Sequence, residues 1–284
     1  MVSFIEKIRS KDPGIGGKKL WYLYQKEYQA THPVGRDTFE GIVAANGLYI
    51  RKPRKHPRTT DSRHNYPKYP NLVKSVIPDH PNQIWACDIT YMPYYPNSNS
   101  KEYNFAYISL VTDVYTKLIL GWSVGATLDT QYPLEALDMA VGQFGEEAVA
   151  GVVHHSDRGV QYASFDYVDR LKKYKMLISM TESGDPKDNA FAERTNETLK
   201  DELFKGRTFS SVLAIKKAMP DAIAFYNNVR PHMSLNNMTP AEASQQKGEI
   251  NKLWISYREK AIKSLSSPKK LLPLPTEAQK SAFP

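Results

Sequence analysis

Between residues 83 and 200 the sequence follows an order of elements that few folds can accommodate. Three runs rich in β-branched and aromatic residues come first, separated only by a loop and a turn, and two further runs then alternate with helical segments. The predicted strands are 83–92, 104–113, 118–125, 151–156 and 176–181, and the predicted helices are 132–144 and 164–174. Three hairpin-linked strands followed by strands that alternate with helices predict an α/β fold, a mixed five-stranded sheet covered by helices.

Asp88 is an unusual residue for the middle of the first predicted strand, IWACDITYM. A carboxylate flanked by Trp85, Ile89 and Tyr91 must be solvated, paired or bound to metal. Asp157 falls at the end of the short strand 151–156. If these two strands are parallel neighbours, both carboxylates emerge together at the carboxyl edge of the sheet, where open α/β sheets bind their ligands.

A third acid, Glu193, belongs to a helix with a well-marked beginning. Asp185 can cap it, Pro186 suits the first helical position, and Asp188 adds favourable charge to the first turn. Helical periodicity divides its residues into two stripes, one expected to face the core and the other the substrate. The core stripe is Ala192, Thr195, Leu199 and Leu203, and the substrate stripe is Asn189, Glu193, Asn196, Glu197 and Lys200.

Three converging carboxylates repel one another unless a cation neutralises them. Oxygen ligands suit magnesium or manganese better than zinc, and two such ions ~4 Å apart can clamp the attacking and leaving oxygens of a phosphoryl transfer. Asp88, Asp157 and Glu193 are therefore the candidate catalytic and metal-binding residues. The spacing alone is weak evidence, because some pair of carboxylates 35 residues apart is expected by chance among 30 acidic residues.

Four ordered motifs make the interpretation specific. WACDITYMP, HSDRGVQY, DNAFAERTNETLKDEL and YNNVRPHMSLNNMTPAEA resemble the successive motifs of the DDE transposases of insertion sequences, in particular the second-frame (OrfB) protein of the family with a retroviral-integrase-type core. The resemblance spans about residues 13–243. It implies that Asp88, Asp157 and Glu193 are the catalytic acids and that the sheet has the ribonuclease H-like order, in which the first and fourth strands are neighbours.

The N-terminal part carries most of the excess positive charge. Residues 1–64 hold 13 Lys or Arg against six acidic residues, in a chain whose net charge is +8. Helical spacing predicts helices at 17–28 and 36–45, which would form either a helix-turn-helix or an ordinary helical hairpin. The arm RKPRKHPR favours DNA binding, because an extended basic segment can follow phosphates, although it could also be a solvated linker.

The candidate DNA contacts come from three places. The arm supplies five cations, Arg36 begins the second helix and is the first candidate for a base contact, and Gln161, Asn189 and Lys200 surround the predicted acids. The cations of the arm are Arg51, Lys52, Arg54, Lys55 and Arg58. His155 is expected to share a face with Asp157 and either to orient the carboxylates or to contact a phosphate. Arg230 and His232 are expected to have a structural role in preference to a DNA contact.

The chain is expected to divide into five parts. These are a helix-turn-helix module at 1–56, a basic and proline-rich linker at 57–80, the integrase-type catalytic core at 81–209, a helical extension at 210–246, and a tail at 247–284 that docks on another subunit or stays disordered. Cys87 is the only cysteine, which excludes an internal disulfide and any multi-cysteine zinc site. A charged beginning and the lack of a long apolar run predict a cytoplasmic protein without a membrane segment.

These features predict a transposase that uses two Mg²⁺ or Mn²⁺ ions to cut the ends of an insertion sequence and to join the resulting 3′ hydroxyl to other DNA. Its expected partners are double-stranded DNA, further copies of itself and, by the resemblance, a first-frame (OrfA) protein. One alternative is a DNA-binding regulator whose nuclease core is idle. A second alternative, a recombinase of tyrosine type, is favoured only by the 18 tyrosines.

Overall fold

A five-stranded mixed sheet lies at the centre of the computed structural model, which describes residues 1–50, 65–97, 102–182 and 189–266. The strands are β1 (Ile84–Tyr94), β2 (Asn104–Asp113), β3 (Ile119–Gly125), β4 (Val153–Ser156) and β5 (Leu177–Met180). Their order across the sheet is β3-β2-β1-β4-β5. β1 pairs antiparallel with β2 and parallel with β4, so the predicted mixed sheet with neighbouring first and fourth strands is confirmed.

Helices cover both faces of this sheet. In chain order, the helices of the described residues are α1 (Val2–Arg9), α2 (Gly17–Tyr28), α3 (Arg36–Ala45), α4 (Gln131–Gly142), α5 (Val160–Ala163), α6 (Phe165–Lys173), α7 (Ala190–Thr198), α8 (Val212–Asn228), α9 (Pro240–Ala243) and α10 (Tyr257–Ser266). A π-helical turn, Leu199–Leu203, continues α7 without a break, and a 3-10 turn, Met233–Leu235, precedes α9.

One face of the sheet packs against α4 and α6. Trp85 and Cys87 of β1 are buried there with residues from both helices, such as Leu137 and Leu171. Gly121 of β3 allows the close approach of α4, since a Cβ atom at this position would lie 1.9 Å from the carbonyl oxygen of Ala136. This layer holds the carboxyl ends of β1 and β4 in fixed positions.

The opposite face is covered by the region that contains Glu193. Met92, Ile108 and Leu110 of the hairpin pack against Leu199 and Leu203 of the π-helical turn and against buried residues of α8. Because this core is continuous from the sheet to the π-helical turn, the helix that carries Glu193 is anchored by apolar burial along one side.

The N-terminal helices form a small core of their own. The predicted boundaries of α2 and α3 are correct, and Gly47 just beyond α3 has φ +65°, the left-handed conformation that commonly ends a helix. The core residues are Phe4, Ile5, Ile15, Leu20, Tyr24, Phe39 and Val43. These helices belong to the same compact unit as the sheet, which extends from Met1 to Trp254.

A second compact unit begins at Ile255, and its described part contains α10. Leu253 and Trp254, which share a helical spacing with Tyr257, precede this helix and do not belong to it. In the described part of the chain, every helix is too short or too polar to span a bilayer. The basic arm of residues 51–58 and the predicted cap at Asp185 and Pro186 lie outside the described residues.

Candidate active site

Asp88 and Asp157 are brought to the same place by strand register. The parallel ladder between β1 and β4 pairs Ile84 with Val153 and ends with Ala86 opposite His155. Asp88 and Asp157 each follow this last pair by two residues. Because side chains alternate along a strand, Asp88 shares the face of Ala86, and Asp157 directly follows the carboxyl end of β4.

The turn after β4 holds Asp157 by its own backbone. Asp157 Oδ1 accepts a hydrogen bond from the amide of Gly159 at 2.9 Å. A Cβ atom at Gly159 would lie 3.0 Å from this oxygen and 3.3 Å from Gln161 Oε1, so the turn is crowded on both sides. Gln161, a predicted DNA contact, donates from Nε2 to the carbonyl oxygen of Leu128 at 3.0 Å.

The helix α7 presents Glu193 toward this edge. The expected core stripe is correct, since Ala192, Thr195, Leu199 and Leu203 are all buried. Glu193 itself is half-buried, as are Asp88 and Asp157. A carboxylate in that environment retains access to solvent and to a substrate on one side.

The expected substrate stripe needs correction at two positions. Asn189 and Asn196 are buried, not presented to solvent. Asn189 Nδ2 donates to the carbonyl oxygen of Cys87 at 3.2 Å, and Asn196 Nδ2 donates to Asp88 Oδ2 at 2.8 Å. Helical periodicity separates polar from apolar faces, but it cannot show that a polar face packs on a strand that carries its own polar groups. Asn196 is thus a partner of Asp88 that the sequence did not reveal as such.

The charges of all three acids interact. Burial raises the pKa of Asp88 above its usual range, and the negative charges of Asp157 and Glu193 raise it further. The amide of Ile89 and the side chain of Asn196 act in the opposite direction, because their hydrogen bonds favour the ionised carboxylate. The three predicted acids therefore form one electrostatic cluster around Asp88.

The donor atoms of this cluster suit a hard cation, although their present arrangement is open. Within the described ranges, no group of three His, Cys, Asp or Glu side chains is placed to hold a metal ion. The available donors are carboxylate oxygens, joined by the buried Oδ1 atoms of Asn189 and Asn196, which accept no hydrogen bond from the described residues. An all-oxygen set with mutually repelling charges fits Mg²⁺ or Mn²⁺ in its chemistry.

The other residues predicted to contact DNA or to orient the acids have partners of their own. Lys200 is in the π-helical turn, where its Nζ lies 5.0 Å from the centre of the Tyr91 ring. Arg36 begins α3 and pairs on the surface with Asp37 at 3.0 Å. His155 is buried, with Nδ1 2.9 Å from Ser179 Oγ. The five cations of the arm lie outside the described residues.

Comparison with known proteins agrees with this geometry. Two family models, both described as the integrase core domain, match residues 78–186 and 174–240. A transposase for the insertion sequence element IS629 of Shigella sonnei is 31% identical over 230 residues, which cover 81% of this chain and 73% of the relative. A putative transposase for the element IS986/IS6110 of Mycobacterium tuberculosis is 30% identical over 244 residues and 84% of each chain.

A solved structure shares the fold. The simian T-cell lymphotropic virus intasome, in complex with the PP2A regulatory subunit B56 gamma, contains a chain that superposes with a TM-score of 0.50 at 16% identity. The alignment covers 87% of this chain and 77% of the viral chain. The sheet thus has the ribonuclease H-like order of integrase catalytic cores, as the motif resemblance implied.

Fold and sequence together define a polynucleotidyl transferase of the integrase type. The chain belongs to the insertion-sequence DDE transposases that carry an integrase core domain. The two relatives described above are transposases, and neither supports the alternative of a DNA-binding regulator with an idle core.

Proposed function

We propose that this transposase cuts DNA at the ends of an insertion sequence and transfers the new 3′ hydroxyl to a second phosphodiester, with Asp88, Asp157 and Glu193 as the catalytic acids. The observation that carries the proposal is the shared electrostatic cluster. Strand register sets Asp157 beside Asp88, and the charge of Glu193 reaches the same carboxylate from α7. Open α/β sheets bind their ligands at the carboxyl ends of their strands, so the substrate is expected beside these acids.

The repulsion in this cluster is a reason to expect divalent cations. Asp88 would contact two Mg²⁺ or Mn²⁺ ions, and Asp157 and Glu193 would hold one each. The ions supply charge neutralisation and a Lewis acid at the phosphate oxygens. The side chain of Asn196 and the amide of Gly159 donate hydrogen bonds to Asp88 and Asp157 and so orient these two carboxylates.

Both chemical steps are direct displacements at phosphorus. In the first, the oxygen of water bonds to phosphorus, the bond to the 3′ oxygen breaks, and that oxygen leaves as the 3′ hydroxyl. In the second, this hydroxyl bonds to a phosphorus of another DNA strand and displaces its 3′ oxygen. The same three acids serve both steps, and no covalent bond between protein and DNA forms.

The substrate is double-stranded DNA, which the basic N-terminal part is suited to bind. Within the described residues, the proposed DNA contacts are Arg36, at the exposed start of α3, and Gln161 and Lys200, which lie around the acids. The arm cations Arg51, Lys52, Arg54, Lys55 and Arg58 would follow the phosphates. Asn189 is buried and donates a hydrogen bond to the carbonyl oxygen of Cys87, the residue before Asp88. Its proposed role is therefore to support β1 at the site, and not to contact DNA.

The resemblance further implies assembly of several copies on paired DNA ends and cooperation with a first-frame partner protein. Sedimentation of the protein with and without DNA fragments from both flanks of its gene would measure the first. Coexpression with the product of an upstream overlapping frame, if the gene has one, would measure the second.

The decisive experiment uses Asp88→Asn on DNA fragments that contain the two flanks of the gene. This variant should lose magnesium-dependent cutting while its DNA affinity stays within about two-fold of wild type, because the amide keeps the shape and removes the ligand charge. Asp221→Asn on the exposed side of α8 is the matched control and should cut normally. Normal cutting by Asp88→Asn would refute the proposal.

A further inference from the structure

The end of the Glu193 helix is fastened to the N-terminal segment by a buried ion cluster. Glu202 lies in the π-helical turn, nine residues beyond Glu193. Its carbonyl oxygen accepts a hydrogen bond from the amide of Gly14 at 2.8 Å, and its carboxylate pairs with Lys19 Nζ at 2.9 Å. A segment distant in sequence thus contacts both the backbone and the side chain of this turn.

Arg230 completes the cluster from the other side. It donates to Glu202 Oε2 from Nη2 at 2.7 Å and from Nε at 3.1 Å, and its Nε lies 3.7 Å from Asp12 Oδ2. Arg230 is 3% exposed and Asp12 is fully buried. Its Nη1 also donates to His232 Nε2 at 3.0 Å, and burial together with the charge of Arg230 holds the pKa of His232 well below its usual range. His232 is therefore a neutral acceptor. The guanidinium of Arg230 is held by Glu202, Asp12 and His232 together.

The contact between the backbones leaves no room for adjustment. A Cβ atom at Gly14 would lie 2.2 Å from Glu202 Cα and 2.7 Å from the carbonyl oxygen of Asp201. The N-terminal segment is consequently seated against the helix backbone itself. Buried ion pairs contribute little net stability but fix one geometry, because removing either partner leaves an unpaired buried charge.

The helix between Glu202 and Glu193 is continuous, so a shift at Glu202 also moves Glu193. The π-helical turn continues α7 directly, and its first and last residues, Leu199 and Leu203, are fully buried in the core beside the sheet. At the other end, Asn196 is bonded to Asp88. A helix held at its end by Glu202 and in its middle by Asn196 cannot rotate or slide without breaking one of these contacts, and Glu193 lies on the same rigid element.

We propose that Glu202 is a positioning residue for Glu193, and that the segment from Asp12 to Lys19 belongs to the catalytic scaffold, so that α2 and α3 are coupled to the cutting site through this cluster. The proposal rests on the catalytic role of Glu193. It predicts that loosening the cluster slows cutting of bound DNA and does not simply weaken DNA binding. An ion cluster that only ties two parts of the fold together would alter neither the cutting rate of bound DNA nor the exchange of α7.

The test uses Lys19→Met, because Lys19 is more exposed than Arg230 and its loss leaves Arg230 in place for Asp12 and Glu202. Lys26→Met is the matched control. Lys26 lies on the same helix and also pairs with a distant carboxylate, Glu242 at 2.6 Å, but that partner is not on the Glu193 helix. Lys19→Arg is the conservative variant that should restore function, and Glu202→Gln serves as a second variant should Lys19→Met fold poorly.

Three quantities are measured for each variant at a temperature below its melting transition. They are DNA affinity, the single-turnover rate of cutting at saturating DNA, and amide exchange of residues 190–203 without DNA. For Lys19→Met the cutting rate should fall roughly 10-fold or more, since small displacements of a catalytic group are costly, while affinity stays within about two-fold. Exchange at 190–203 should be faster, Lys19→Arg should recover both properties, and Lys26→Met should match wild type.

An unchanged cutting rate at saturating DNA, a loss confined to affinity, or unchanged exchange would each overturn the proposal, as would an equal loss in Lys26→Met. The exchange experiment separates this proposal from the proposed catalysis. If wild type fails to cut DNA, the catalytic role fails, whereas exchange of 190–203 still shows whether Lys19 holds the helix.

Discussion

Asp88 of β1 and Asp157, the residue that follows β4, each lie two residues past the last pair of the β1–β4 ladder, Ala86 opposite His155. Their proximity follows from this register and from the turn after β4, whose Gly159 amide bonds to Asp157. Glu193 differs, because it comes from a helix, α7. Two of the three acids are therefore positioned by β1 and by the end of β4, and the position of the third depends on what holds α7.

Asn196→Ala should impair cutting more than it impairs binding. Asn196 Nδ2 donates to Asp88 Oδ2 at 2.8 Å, and a hydrogen bond to a charged group contributes about 1.5–3 kcal/mol. The single-turnover rate should consequently fall by roughly 10-fold to 100-fold. Asn228→Ala is the control, since Asn228 is exposed at the end of α8 and donates only to the carbonyl oxygen of Ala224. Equal rates in both variants would show that Asn196 does not support Asp88.

Asp88→Asn should raise thermal stability in the absence of divalent cations. The ionised Asp88 is disfavoured by burial and by the charges of Asp157 and Glu193, and a neutral amide of the same shape escapes both effects. The gain should be on the order of 1 kcal/mol, limited by the partial solvent access of the side chain. Thermal unfolding in EDTA measures it. Mg²⁺ should stabilise wild type more than the variant, and a lower melting temperature of the variant in EDTA would contradict this account.

Several parts of the fold could be predicted because their signals are local. The boundaries of α2 and α3 follow from helical spacing and from Asn46 and Gly47 beyond the second helix, and the strand predicted at 104–113 has the observed bounds. β1 extends to Tyr94, two residues beyond its predicted end, because pairing with β2 continues to Asn104. Such an extension depends on a partner strand, which a local pattern does not contain.

The contacts that organise the site were harder to predict because they join distant residues. Asn196 appeared as one member of a polar stripe, and only the packing of α7 on β1 reveals that it serves Asp88. Asp12 and Arg230 are separated by most of the chain, and neither has a local feature that indicates a buried partner. The π-helical turn at Leu199–Leu203 likewise has no sequence signature.

Gly14→Ala should destabilise the protein much more than Gly16→Ala. A Cβ atom at Gly14 would lie 2.2 Å from Glu202 Cα, but one at Gly16 would meet nothing within 4 Å. Overpacking of this kind costs about 1–3 kcal/mol. Gly16→Ala should cost much less, because the entropy that alanine removes from the unfolded chain offsets its weaker capping of α2. Thermal unfolding of the two variants decides the matter, and similar melting temperatures would show that the N-terminal segment is not seated on the helix as described.

The contribution of His154 to stability should fall on mild acidification. Burial lowers the pKa of His154 to about 3, so its unfolded form, with a pKa near 6.5, binds a proton that the folded form does not. The unfolded state therefore binds more protons between about pH 6.5 and pH 3, and stability decreases as pH falls through this window. Between pH 7.5 and pH 5.5 the contribution is roughly 1.5 kcal/mol.

The measurement compares wild type with His154→Gln by urea unfolding at both pH values, because glutamine can keep a hydrogen bond to Tyr167 without titrating. Asp12 and Asp88 act in the opposite direction, since burial and neighbouring carboxylates raise their pKa in the folded state, and His232 acts in the same direction as His154. These groups remain in the variant, so the difference between the two proteins isolates His154. Acidification should lower the free energy of unfolding of wild type relative to that of the variant, and an equal change in the two proteins would mean that His154 is not held neutral in the folded protein.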